Sequence, residues 1–143
     1  MIKNIENFDQ EFDSIIAIYE SVGWGAYTED LESLKFALNN SSYLFGYYED
    51  DKLKGLIRGM TDKVSINYIQ DILVLNELHG KGIGSQMVQY VFEYTKGVRA
   101  QVLITDDNPQ QLAFYKKLQM SNTRELVDVP LNCFVKFDGM ELG

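Results

Sequence analysis

Seven residues, His79-Gly80-Lys81-Gly82-Ile83-Gly84-Ser85, separate an apolar run, Ile69 to Leu75, from a segment of helical periodicity, Gln86 to Lys96. Glycine at alternate positions lets a backbone turn tightly and aim several bare N–H groups at one point. Where such a turn opens a helix, the helix's own unpaired N–H groups and its dipole point the same way, which suits a diphosphate. The spacing excludes the common nucleotide loops. A dinucleotide fingerprint needs G-x-G-x-x-G, and here the third glycine comes one residue early. A Walker A loop needs Gly-Lys followed by Ser or Thr, whereas Lys81 is followed by Gly82. Glycine spacing alone also permits a plain strand-to-helix turn.

Composition narrows the partners. A chain of 143 residues with 45% apolar content reads as one domain, 1–143, long enough to bury a core. The formal net charge of −8 argues against nucleic acid as a partner, because phosphate binding needs a basic face, and it suits a cationic small substrate. One cysteine, Cys133, excludes an internal disulfide and a Cys-rich metal site. One histidine, His79, leaves no His pair for zinc, so no metal is expected. No stretch approaches 18 apolar residues and the N-terminus lacks a long apolar region, so the expectation is a cytoplasmic chain with no membrane partner.

Periodicity predicts a helix over residues 9–21 with Phe12, Ile15, Ile16 and Tyr19 on one face, ended by Gly23-Trp24-Gly25. A second helix is expected from Asp30 to Leu38. Tyr43 to Tyr48 and Leu53 to Met60 read as a hairpin joined at Glu49-Asp50-Asp51-Lys52. Ser65 to Leu75 is a long strand whose apolar residues do not alternate cleanly. Either both of its faces are covered or a bulge shifts its phase. Ile83, Met87, Val91 and Tyr94 stripe a third helix, and Arg99 to Thr105 is a short strand. Asn108 followed by Pro109 is a strong start for a fourth helix. Residues 123–127 and 132–137 read as a closing strand pair, whose exposure would support a homodimer, so monomer and homodimer both stay open. The order βααβββαβαββ predicts an α+β fold with a mixed, mostly antiparallel sheet of six to seven strands, a central parallel splayed pair and about four helices.

Two blocks in this order resemble the GNAT superfamily of acyl-CoA-dependent N-acetyltransferases. The family's signature, Gln/Arg-x-x-Gly-x-Gly/Ala at a strand-to-helix turn, is matched by His79-Gly80-Lys81-Gly82-Ile83-Gly84 after Asp71-Ile72-Leu73-Val74-Leu75. A second family block, Asn-x-x-Ala-x-x-Phe-Tyr-x-x-Leu-Gly-Phe, is similar to Asn108 through Met120, with Ala113-Phe114-Tyr115-Lys116-Lys117-Leu118 as its core. The resemblance implies acetyl-CoA as acyl donor and an amine as acceptor. It implies that the turn from His79 through Gly80, Lys81, Gly82, Ile83, Gly84 and Ser85 holds the CoA pyrophosphate. Leu73 and Val74 would pair through main chain with the pantetheine arm, and Asn108 would bond the arm or order its loop. Tyr115 would protonate the departing thiolate. This chain departs from the pattern at His79 (usually Gln or Arg), at Gln119-Met120 (usually Gly-Phe) and at Asn76 (commonly Pro).

The residues themselves suggest further roles. Asp71 stands inside an otherwise apolar strand, where a carboxylate is costly to bury without a purpose or a partner. It is a candidate base, or a group that orients a proton-relaying water; a hydrogen bond to a neighbouring loop or helix end is the plainer explanation. Backbone N–H groups freed by a bulge near Leu73 are candidates for holding the oxyanion. Trp24 and Tyr27 are candidates for the wall of the acceptor site, since aromatic faces attract an alkylammonium or aryl-amine. The expected activity is N-acetylation of a small-molecule amine. Its rivals are a protein Nα- or lysine acetyltransferase and a non-catalytic acyl-CoA-binding domain.

Overall fold

The computed structural model describes residues 1–143, which fall into two units, Met1–Ile104 and Thr105–Gly143. In the first unit the chain runs β1 (Ile2–Asn4), α1 (Phe12–Ser21), α2 (Gly25–Thr28), α3 (Leu31–Asn39), β2 (Tyr43–Glu49), β3 (Lys52–Thr61), β4 (Ile66–Val74), a 3-10 turn (Asn76–Leu78), α4 (Ile83–Tyr94) and β5 (Ala100–Leu103). The strands form one sheet in the order β1-β2-β3-β4-β5. Pairing is antiparallel from β1 to β4 and parallel between β4 and β5.

Local chemistry starts and stops these elements. Asp30 caps α3 by accepting from the Ser33 N–H at 3.1 Å. The β2–β3 hairpin turns on Asp50 and Asp51 alone, with φ of +51° and +62°. Aspartate tolerates that left-handed backbone, and its twist matches the flanking strands. Ile15, Ile18 and Tyr19 of α1, with Leu34 and Leu38 of α3, pack on one face of the sheet against Leu44, Leu53, Leu56 and Leu73. α4 covers the opposite face, where Phe45 meets the rings of Tyr90 and Tyr94 edge-on at 4.9 and 5.0 Å.

β4 resolves the uneven apolar pattern, because both expected causes operate. Ile69 pairs with Gly59 and Asp71 with Arg58, so Gln70 is an extra residue and a bulge. A one-residue insertion reverses which face each later side chain meets. Asn67, before the bulge, accepts from Tyr43 Oη at 3.0 Å and donates to Gln101 Oε1 at 2.7 Å. Asp71 and Leu73, after it, meet residues of α1 instead. The bulge therefore lies at Gln70, three residues before the position near Leu73 expected from the sequence. Gly59 is needed opposite it. A Cβ there would lie 2.2 Å from Tyr43 Oη and 2.5 Å from the Tyr68 carbonyl oxygen. Gly59→Ala should lower stability by about 1–3 kcal/mol, the usual cost of overpacking. A urea midpoint equal to the parent's would show that the ring and the backbone yield freely.

The second unit contains α5 (Pro109–Lys117), capped by Asn108, whose Oδ1 accepts from the Gln111 N–H at 2.9 Å. The expected closing strands do not form. Thr123–Glu125 is a 3-10 turn, and the later chain carries one isolated bridge, Phe137 with Met140. The sheet thus has five strands rather than six to seven, and the parallel pair stands at its end rather than its centre. The helices number five instead of about four, the extra one being the single turn α2. Apolar alternation makes a strand only when a partner ladder takes up its backbone groups. Pro130 also removes one donor from the segment between the two expected strands.

Candidate active site

The glycine turn is built as its residues dictate. Gly80 and Gly82 take φ of +81° and +79°, a conformation that a side chain would strain, and Gly82 is the N-cap of α4. The first N–H bonded back into the helix is that of Gln86, which donates to the Gly82 carbonyl at 3.1 Å. The N–H groups of Ile83, Gly84 and Ser85 precede it and are left for an anion. Nothing lies within 4 Å of where a Cβ on Gly80 or Gly82 would stand, so the turn is open to a ligand.

The strand leading into this turn has an open edge. β4 runs to Val74 but pairs with β5 only from Ile66 to Ile69. Leu75 donates to the Lys54 carbonyl at 3.0 Å, and the Leu73 carbonyl oxygen lies 2.9 Å from where a Gly55 Cβ would be. The main chain of both residues is therefore turned toward β3. In an antiparallel ladder the alternate residues point the other way, so Ile72 and Val74 offer N–H and C=O to the open edge. Of the two residues expected to pair with an extended ligand arm, Val74 is so oriented and Leu73 is not. Ile72 is the residue that the sequence does not single out. Its signal is the hydrogen-bond parity of β4, which stays hidden until the register with β3 is known.

Asp71 has partners. Its Oδ2 accepts a 2.6 Å hydrogen bond from Tyr19 Oη and is ion-paired with Arg58 Nε. Arg58 Nη1 also donates to Ser41 Oγ at 3.2 Å. All three side chains are buried, and Asp71 Oδ1 has no hydrogen-bond partner. Burial first, and then the charge of Asp71, push the Tyr19 phenol well above the ordinary tyrosine value, so it remains a donor. Neither Arg58 nor Tyr19 stands out as a site residue in the sequence. A lone arginine in the apolar run Leu53 to Met60 is the signal that points to the first.

Trp24 and Tyr27 are brought to the same place. Their rings stack at 5.7 Å, and Tyr19 packs against Tyr27 at 5.2 Å and Trp24 at 6.3 Å. Gln70 at the bulge donates to Tyr27 Oη at 3.3 Å. The aromatic wall and Asp71 are thus joined through Tyr19. His79 is exposed, and its Nε2 lies 2.7 Å from the Val74 carbonyl oxygen.

Asn108 and Tyr115 belong to the second unit, at the start of α5 and on its half-buried side. Burial pushes the Tyr115 phenol up, against a hydrogen bond with Thr105 that works the other way. The phenol therefore keeps its proton at neutral pH, as an acid must. Lys116 is ion-paired with Glu125 at 2.8 Å. No group of three or more His, Cys, Asp or Glu is placed to hold a metal ion, and no helix is long and apolar enough to cross a membrane.

The chain is similar to known proteins. The chain is 26% identical over 120 residues to an uncharacterised N-acetyltransferase, ycf52, of Pyropia yezoensis, covering 81% of this chain and 65% of that one. It is 34% identical over 90 residues to a Gibberella zeae protein named as an acetyltransferase, covering 61% of this chain and 44% of that one. It therefore spans less than two thirds of either curated relative. A GNAT family acetyltransferase of Streptococcus pneumoniae TIGR4 superposes with a TM-score of 0.74 at 23% identity, over 95% of this chain and 96% of the other, which shows a common fold. The profile of the acetyltransferase (GNAT) family matches residues 7–120, most of the chain, including both the glycine turn and α5. A strand with an open edge that runs into a turn of bare N–H groups, within a match of that extent, makes this chain a member of the GNAT acetyltransferase family.

Proposed function

We propose that this chain is an acetyl-CoA-dependent N-acetyltransferase that moves an acetyl group to a primary amine of a small molecule by direct attack in a ternary complex. One observation carries the reading: β4 has an open edge from Gln70 to Val74, and the bare N–H turn follows it after the 3-10 turn Asn76–Leu78. An extended amide-bearing arm fits the edge, and a pyrophosphate fits the turn. In this reading the residues from His79 to Ser85 hold the pyrophosphate, and Ile72 and Val74 hold the arm. Asn108 orders the start of α5.

The amine must be neutral when it attacks, and the departing thiolate needs a proton. Trp24 and Tyr27 form the acceptor wall, whose aromatic faces favour a cationic or aryl amine before it loses its proton. Asp71 works beside that wall. Oδ2 is held by Tyr19 and Arg58, and Oδ1, buried without a partner, is the oxygen left to accept from an amine N–H or a proton-carrying water that reaches it. Tyr115 returns a proton to the thiolate. The chemistry draws on no metal, and the reading places the enzyme in the cytoplasm.

A CoA-release assay over a panel of small amines and peptides tests the reading. Acetyl-CoA should bind, and at least one small amine should turn over. Tight acetyl-CoA binding with no turnover on any acceptor would make the chain a binding domain. Turnover on peptides alone would make it a protein acetyltransferase.

A further inference from the structure

His79 is the one histidine of the chain and its main departure from the family signature. Its ring does not point away into solvent. Nε2 sits 2.7 Å from the carbonyl oxygen of Val74. A carbonyl oxygen only accepts, so Nε2 carries the proton in this contact, whether the ring is neutral or charged. The oxygen it holds is the outermost main-chain acceptor on the open edge of β4. The neighbouring main-chain groups, at Leu73 and Leu75, are turned toward β3.

We propose that His79 is a latch on the donor slot: in the unliganded protein its imidazole occupies the Val74 carbonyl, and an incoming amide-bearing arm must displace the ring to take that acceptor. The proposal rests on the acetyl-CoA reading above and adds to it a competition within the chain. The two arrangements compete, because both donors approach the same carbonyl oxygen from the open side of β4. Once displaced, the ring stands at the first position of the turn, beside the N–H groups that face an anion. Its N–H is then left to water. The latch therefore responds to the arm, and an isolated diphosphate does not release it.

That distinction sets the experiment. Because the chain has one histidine, its ring nitrogen resonances need no assignment by mutation. They are followed by nitrogen-15 NMR on the full chain as acetyl-CoA, or ADP as a probe with phosphates and no arm, is added. Acetyl-CoA should move the Nε2 signal away from its carbonyl-bonded position, and ADP should leave it there. In a second measurement, His79→Ala should raise the ratio of acetyl-CoA affinity to ADP affinity by about two- to tenfold, the worth of one net hydrogen bond. Any attraction between the ring and phosphate acts on both ligands and cancels in the ratio. A ring signal that acetyl-CoA does not move, or a ratio that stays level or falls, overturns the latch and leaves the donor-site reading standing. Failure of acetyl-CoA to bind the parent protein at all overturns both.

Discussion

Arg58→Ala should destabilise the fold by about 3–5 kcal/mol, the largest stability effect expected of a single change outside the apolar core. The guanidinium is the counter-charge of Asp71, and both side chains are almost fully buried. Removing it leaves a carboxylate in the interior with one phenol donor, Tyr19, and an oxygen, Oδ1, that already has no partner. A domain of ordinary stability, about 5–15 kcal/mol, loses a large share of it. Urea unfolding of the parent, Arg58→Ala, Asp71→Leu and the double variant measures the coupling. The double variant should recover most of the loss, because it removes the buried charge together with its partner. Equal losses in Arg58→Ala and in the double variant would show that packing of the arginine stem, and not the ion pair, is what matters.

Tyr115→Phe should lower kcat by roughly 10²–10⁴-fold, the usual contribution of a positioned general acid, while acetyl-CoA affinity changes little. The ring stays in place in this variant and only the phenol proton donor is lost, so the half-buried side of α5 keeps its packing. Burial raises the phenol's pKa, so protonated Tyr115 persists through neutral pH and its loss of a proton limits turnover only above the ordinary tyrosine value of about 10. Steady-state CoA release together with equilibrium acetyl-CoA binding checks both halves of this expectation. An unchanged kcat would remove Tyr115 as the acid. A weakened acetyl-CoA complex with kcat intact would make it a binding residue.

The parts of this protein that can be read along the chain are those whose cause is local. Asn108 before Pro109 starts α5 because its side chain bonds the N–H three residues on, whatever else surrounds it. The helices of the first unit follow their apolar stripes, and the β2–β3 hairpin forms at the acidic turn where it is expected. Gly80 and Gly82 adopt the left-handed backbone that their spacing suggests. The residues 123–137 show the limit of such reasoning. Their apolar alternation satisfies the pattern of two strands, but no partner ladder takes up their backbone, and they remain outside the sheet.

The amino-acid order alone determined the glycine turn, the strand before it, the helix after it and the second block at Asn108 to Leu118, and with them the family. It also marked Asp71 as a carboxylate in need of a reason. Tertiary structure decided what that reason is, since its partners lie 13 and 52 residues away and meet it only across β3 and α1. It decided as well that Val74 and Ile72, and not Leu73, face the open edge of β4. One extra residue at Gln70 and the register with β3 set which carbonyl each position turns outward. Ladder register is a property of paired strands, and neither strand carries it alone.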